Sequence, residues 1–488
     1  MAIDRRSTLE AWWLRGLVLD LRSLALFRVG VGLVLVMDLL LRIPEIDQLY
    51  TDAGVLPREA LMRFSGRPFL SLHLLSGAWS VQLLLFAIAL IFAIGLVAGY
   101  RTRLCAVVSW AMLLSMHARN PFVLHGGDAV LRLLLFWSMF APLNQQWSLD
   151  RALNPGAPAL PVRHISPASL ALVFQICGIY WFTAAAKMHP SWLGEQSAVY
   201  YALSLDQFAT PVGRFLLGYP GVLQLMTTGT ILLEMLGPLL AISPVFTVPL
   251  RLLIPLSFMG FHLGLALTMW LDLFPWVCIA AWLAFLPSAL WDWLAARKLP
   301  RLPVPTGWPA ALRPPAPQPI GVAGSVVVLA LLLLATASFV DAVPGRRQSV
   351  ARQFLRVTMM DQSWKMFSPA PSAEDGWFVI EGWRQDGKSF DLWNGGRPPT
   401  DAKPASFRTS AYPNTQWLAW LTGLRNFRRR DYFPYFGRYL CHRWNDHHAA
   451  SDHIPLVVIR YMVELTPPPG KPATGAVPEV VWLQPCTE

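Results

Sequence analysis

A lone lysine closes one of the apolar runs of this chain. The stretch Gln175 to Tyr201, QICGIYWFTAAAKMHPSWLGEQSAVYY, ends an apolar segment begun near Ser166 on Lys187, and continues through His-Pro-Ser-Trp192 and Gly194. Such a lysine has two uses. It can snorkel its ammonium to lipid headgroups along an apolar stem. Alternatively, it can stand at the wall of an apolar cavity, where lost hydration helps it give up a proton and act as a base. Residue type alone favours snorkelling.

Other ionisable groups inside the apolar runs change that balance. They are Arg28, Asp38, Arg42, Asp128, Arg132, Glu234 and His262, with Gln175 as a neutral companion. Charges there are costly, so they face a bundle interior or a water-filled cavity. Asp38 with Arg42, and Asp128 with Arg132, have the four-residue spacing of an ion pair on one helix face. Arg28 reads as an anchor on phosphate. His262 reads as a hydrogen-bonded interhelical residue rather than a metal ligand. Glu234 has no partner evident in the sequence. The loop His117-Ala-Arg-Asn120-Pro-Phe-Val-Leu-His125-Gly-Gly-Asp128 is either a tight turn capped by Asp128 or a polar set at the mouth of a cavity. Cys441-His442 with His447, His448 and His453 has metal-binding residue types but no standard zinc spacing. No metal is expected.

Long apolar elements must position these groups. The 488 residues are 54% hydrophobic and 14% charged, with mean hydropathy +0.42, whereas soluble domains carry about 25% charged residues. The 22 Trp suit membrane interfaces. A net charge of +11 fits loops facing anionic lipid, and no basic run interleaved with stacking aromatics points to nucleic acid. The N-terminus is not a signal peptide. Runs near the 20 residues of a span predict nine transmembrane helices, at about 24–43, 79–99, 103–118, 127–143, 167–187, 220–242, 249–270, 273–294 and 319–342. Residues 195–215, broken by Asp206, Pro211 and Arg214, read as an interfacial or re-entrant helix.

Basic residues concentrate before span one and after the even-numbered spans, which places the N-terminus in the cytoplasm and the C-terminal region outside. On that topology Asp38, Arg42, Asp128, Arg132, Lys187 and His262 fall in the outer half of the bilayer, with Glu234 deeper. The expected organisation is a bundle over 1–298, a proline-rich linker and final span over 299–343, and an extracytoplasmic α+β domain over 344–488. In that domain Trp377–Trp383 and Gly387–Trp393 read as a hairpin around Gln385-Asp386-Gly387. Residues 416–444 read as helical and 454–465 as a strand. Cys441 and Cys486 are the two cysteines able to pair if that side is oxidising.

Several stretches together resemble the HTTM-domain family, the membrane domain shared with vitamin K-dependent gamma-carboxylase, in its bacterial form. They are Leu26-Phe-Arg28-Val-Gly with Asp38, Leu49-Tyr-Thr-Asp-Ala-Gly-Val-Leu-Pro57, Arg119-Asn-Pro with Gly126-Gly-Asp128, Trp147-Ser-Leu-Asp150, Tyr180 with Lys187 and Trp192-Leu-Gly194, and His262 with Phe274-Pro275. The external Trp364-Lys-Met-Phe-Ser-Pro369 also looks like bacterial members. The resemblance implies that Lys187 is the base toward a reduced, vitamin K-like quinone, with O2 and CO2 as co-substrates.

The expectation is therefore an all-α polytopic membrane bundle with a small α+β C-terminal extramembrane domain, residing in the bacterial inner membrane. Lys187 and His262 are the expected catalytic residues. His117, Asn120, His125, Asp128, Arg132, Asp38, Trp192 and Glu234 are the expected cavity lining. The activity is carboxylase-like, on a peptide or lipid substrate. The alternative is a non-catalytic lipid-binding or assembly scaffold; a transporter ranks third, since no inverted repeat is evident.

Overall fold

The computed structural model describes residues 12–64, 70–297 and 350–486, apart from 363, 365, 406, 408–410, 427–429 and 473, together with 314, 321 and 324–331. The proline-rich linker and most of the expected ninth span lie outside the described residues.

The bundle is built from α1 (Leu21–Arg42), α2 (Trp79–Ala98), α3 (Thr102–Arg119), α4 (Gly126–Ser138), α5 (Pro167–Ala186), α6 (Pro220–Ala241), α7 (Thr247–Thr268), α8 (Phe274–Trp282) and α9 (Ser288–Ala295). The expectation of nine spans is confirmed only in part. Among the described residues, five helices are long and apolar enough to cross a membrane: α1, α2, α5, α6 and α7. A sixth is added only if α8 and α9, bent by 82° at Leu286-Pro287, count as one broken span. Helix α4 has 13 residues, about 20 Å at 1.5 Å per residue, too short for a hydrocarbon core of about 30 Å. Its length is buried inside the protein instead. Helix α3 carries Ser109, Ser115, His117 and Arg119 on buried positions, so its polarity points inward. Residues 195–215, expected as one interfacial or re-entrant helix, form two short helices, Ala198–Ser204 and Pro211–Leu216.

Buried arginines tie loops to helices. Arg28 does not reach for phosphate; it is buried and donates to the carbonyls of Leu143 (3.0 Å), Val97 (3.4 Å) and Trp147 (2.6 Å). Gly99, at φ +68, ends α2 beside it, and a Cβ there would lie 2.4 Å from the guanidinium. Arg251 likewise donates to the carbonyls of Gly16 and Val18, holding the chain before α1 against α7.

The C-terminal region folds as expected in kind. After α10 (Val350–Val357), strands β1 (Glu374–Trp383) and β2 (Ser389–Asp391) form the predicted hairpin, with Gly387 at φ +79 in its turn. The helical stretch is two helices, α11 (Thr415–Asn426) and α12 (Phe433–Asn445). Strand β3 (Leu456–Leu465) pairs with β1, and β4 (Val477–Pro485), absent from the sequence reading, completes an antiparallel sheet in the order β2-β1-β3-β4. A Cys441–Cys486 disulfide joins α12 to the end of β4. This removes Cys441 from any metal-ligand set built on Cys441-His442. The domain is keyed to the bundle: Asn414 Nδ2 and Trp417 Nε1 donate to the Glu45 carboxylate at 2.7 and 2.9 Å, and Tyr200 donates to the Pro467 carbonyl at 3.1 Å.

Candidate functional site

Helix α5 stops at Lys187, whose φ of −91° and ψ of 19° leave the helical region. Pro190 starts the next turn, capped by the His189 ring accepting the Ser191 N–H at 3.2 Å. This sharp reversal brings Trp192 back over the lysine, with Nζ 4.6 Å from the ring centroid, a cation–π distance. Lys187 does not snorkel: it is 4% exposed, and Nζ donates to Glu234 Oε1 (2.6 Å) and Oε2 (2.8 Å) on α6. Glu234, partnerless in the sequence, is also 4% exposed. Each charge satisfies the other, as burial of either demands.

The pair lies on the wall of a cavity of about 1090 Å³ with mainly apolar lining. Helices α6 and α7 form one side of it. At Gly237 a Cβ would meet the Phe258 ring at 2.6 Å, so the helices touch there. At Gly229 and Gly264, which line the cavity, a Cβ would meet nothing within 4 Å. The outer faces of both helices expose Leu225, Leu232, Leu256 and Leu263. His262 lines the cavity and its Nε2 lies 2.8 Å from the Tyr180 hydroxyl, which Trp282 Nε1 also approaches at 2.9 Å.

The structure divides the expected site residues into two groups. Lys187, Glu234, Trp192, His262 and His125 line the cavity. His117, Asn120, Asp128, Arg132 and Asp38 do not; they are buried behind it. There Arg42 donates to Asp38 Oδ1 (2.7 Å), Asp128 Oδ1 (2.6 Å) and the Tyr50 hydroxyl (2.9 Å). Asp38 and Arg42 therefore pair as their spacing suggests, but Asp128 and Arg132 do not. Arg132 donates to His117 Nδ1 (2.8 Å) and the Met359 carbonyl (2.8 Å). Asn120 bonds the Leu49 carbonyl and the Phe122 N–H, so its work is holding the turn. The α4 cap is His125 rather than Asp128: its Nδ1 accepts from Gly127 N–H (3.1 Å), and Asp128 Oδ2 accepts from His125 N–H (2.7 Å) in return.

Asp38, His117 and Asp128 bring potential metal-ligand atoms within 4.8 Å of one another. Their bonds argue for an ion network instead. Arg42 already bonds both carboxylates, and the Arg132 bond to His117 Nδ1 puts the ring proton on Nε2, leaving no lone pair there to offer. Nearer the cavity, His125 Nε2 lies 3.5 Å from both Asp128 and Asp272. Burial works against charge on this ring, yet the two carboxylates outweigh it and raise its pKa to about 9. Burial also opposes ionisation of Asp272, but His125 and Thr415 hold its carboxyl below the usual range.

The HTTM-domain sequence profile matches residues 18–293, more than half of the chain. The chain belongs to the HTTM-domain family. No curated protein and no solved structure matches it.

With its apolar helices, this HTTM protein is a multi-pass membrane protein. The HTTM segment supplies the cavity walls with Lys187, Glu234 and His262, while residues beyond it supply the roof, including Met359, Met366, Phe367, Thr415 and Leu418. Sequence reasoning missed Asp272 and Thr415, which hydrogen-bond each other across the junction. The signal for Asp272 was its position as the acid in the otherwise apolar turn Met269-Trp-Leu-Asp-Leu-Phe274. Nothing in the sequence marked Thr415.

Proposed function

We propose that this HTTM protein binds a lipid-soluble hydroquinone in the cavity and uses Lys187 to take its hydroxyl proton, in carboxylase-like chemistry on a peptide or lipid. The observation that carries this reading is the Lys187–Glu234 pair on the wall of a large apolar cavity. The residues present fit such a group. The chamber is apolar with one polar edge, and the open space beside Gly229 and Gly264 offers a route from lipid. Lys187, Trp192 and His262 would surround the head. A bound hydroquinone, with O2 and CO2, would supply the oxidative drive for carboxylating a carbon acid.

The chain's own part is to hold and move a proton at Nζ. Passing the ammonium proton to the Glu234 carboxylate 2.6 Å away leaves a neutral amine beside a neutral acid, and an apolar wall tolerates that state because it buries no charge. The amine then accepts the proton of a bound hydroxyl. The Trp192 ring covers Nζ on one side and limits water there. Placement in the bacterial inner membrane, N-terminus inside and C-terminal domain outside, is supported by the basic loop residues and by the Cys441–Cys486 bond, which suits an oxidising compartment.

A non-catalytic lipid-binding scaffold is the second reading, favoured by the fact that the opposed charges of Lys187 and Glu234 also match a zwitterionic headgroup. Purified protein in nanodiscs, given reduced quinone, O2 and bicarbonate, separates the two. Quinol oxidation that is lost in a folded Lys187→Ala variant is the expected result. No oxidation by the unaltered protein overturns the enzymatic reading and leaves the scaffold.

A further inference from the structure

Hydrogen-bond directions around Tyr180 fix the state of His262. The Trp282 indole N–H can only donate, and it points at the Tyr180 oxygen from 2.9 Å. The phenol's own proton must go elsewhere. Its other close neighbours are His262 Nε2, at 2.8 Å, and the Cys278 thiol. Sulfur is a weak acceptor and an imidazole lone pair a strong one, so Tyr180 donates to Nε2. An uncharged ring that accepts at Nε2 carries its proton on Nδ1. That Nδ1–H is buried and has no partner among the described residues, in a cluster where Tyr180, Trp282 and His262 are 5%, 0% and 1% exposed. Buried polar groups are nearly always paired, and an exception in a native fold calls for an explanation. Here the ring lies on the cavity wall that also holds Lys187 and Glu234.

We propose that His262 is an uncharged hydrogen-bond donor for the bound head group, offering Nδ1–H to a carbonyl or phenolic oxygen, with Trp282 and Tyr180 as positioning residues that fix its tautomer. This rests on the reading of the cavity as an amphiphile site and adds the group that grips the oxygen. His262 would thus oppose Lys187 in role: the lysine takes a proton, and the histidine gives none up but stabilises charge on oxygen. The ligand class follows. It needs an acceptor oxygen on a flat, apolar head, as quinones and quinols have, and an alkyl amine or hydrocarbon gains nothing from this contact.

Two measurements test the inference. Nitrogen-15 NMR of histidine-labelled protein in nanodiscs, with the His262 signals assigned by their loss in His262→Phe or by selective labelling, is expected to show a protonated Nδ1 and a bare Nε2. A protonated Nε2 overturns the proposal, and the unaltered protein decides this even if His262→Phe does not fold. Trp282→Phe is expected to mix the two tautomers, since Tyr180 then loses its fixed donor. Infrared difference spectra with carbonyl-13C decylbenzoquinone are expected to show one carbonyl stretch lowered by hydrogen bonding. In His262→Phe that shift should vanish and binding weaken about tenfold, the size of one hydrogen bond, whereas His262→Asn, which keeps an N–H donor, should retain part of both. Identical spectra for unaltered protein and folded His262→Phe overturn the proposal. A lowered stretch without any quinol turnover keeps it and sinks the Lys187 chemistry. No quinone binding at all sinks the ligand assignment and the hydroquinone reading together.

Discussion

Lys187 and Glu234 hold each other in an apolar wall, and that makes their removal asymmetric. Taking away one partner strands a buried charge, at a cost of about 3–5 kcal/mol, while replacing both with apolar residues of similar volume is often near neutral. Lys187→Met or Glu234→Leu alone should therefore lower unfolding stability in detergent by that amount, and the double variant should recover most of it. A double variant no more stable than either single one would show that the pair is not coupled. The lysine was legible in the sequence; its partner was not, because it lies 47 residues away on another helix. Asp128 and Arg132 show the opposite failure. Their spacing matches a helix-face pair, yet Asp128 sits in the first turn of α4 and turns back to the His125 N–H and across to Arg42, 86 residues away. Helix spacing permits a pair, and the end of a helix, with free N–H groups in competition, can break it.

Two elements carry predictions of their own. At the start of α4 His125 lies between Asp128 and Asp272, and its pKa rises from 6.5 to about 9 on folding. A raised folded pKa means the contribution is complete below about pH 6.5 and lost as pH climbs through about 9. Stability of the unaltered protein should fall by about 1–3 kcal/mol across that window, and the part due to this ring should be missing in His125→Asn; equal slopes would count against the His125–Asp128–Asp272 arrangement. Charging the ring also forfeits the Gly127 N–H bond to Nδ1, which trims the gain without reversing it. The second element is the pair α6 and α7. Gly229→Trp and Gly264→Trp should leave stability nearly unchanged, since open space surrounds both positions, but should reduce uptake of a long-tailed quinone from vesicles severalfold. Gly237→Leu should instead cost about 1–3 kcal/mol by overpacking against Phe258. Unchanged uptake in both tryptophan variants would close that route. Apolar run lengths revealed α1, α2, α5, α6 and α7, but run length alone cannot tell them from α4, a short helix buried inside the protein that reads like a span in one dimension.

For the molecule as a whole, the Cys441–Cys486 bond closes a loop of 45 residues, which chain-entropy reasoning values at about 4 kcal/mol. Cys441→Ser with Cys486→Ser should lower the stability of the C-terminal domain toward that amount, read as faster proteolysis within 433–485; no change would mean that the domain's packing is sufficient alone. The hairpin and the helical character of 416–444 were legible, since Asp386-Gly387 and the apolar spacing are local signals, but the division of that stretch into α11 and α12 was not. Strand β4 was not: its two prolines, Pro478 and Pro485, argue against a strand, and β4 escapes the objection only because it lies at the sheet edge beside β3. The roof of the cavity, from Met359 to Leu418, is made by residues that follow the HTTM segment in the chain. During synthesis they emerge after the bundle with its lysine pair, so the chamber is covered only once they have folded and docked through Glu45 and Asp272. A chain cut short after the HTTM segment would leave Lys187 and Glu234 in an uncovered trough.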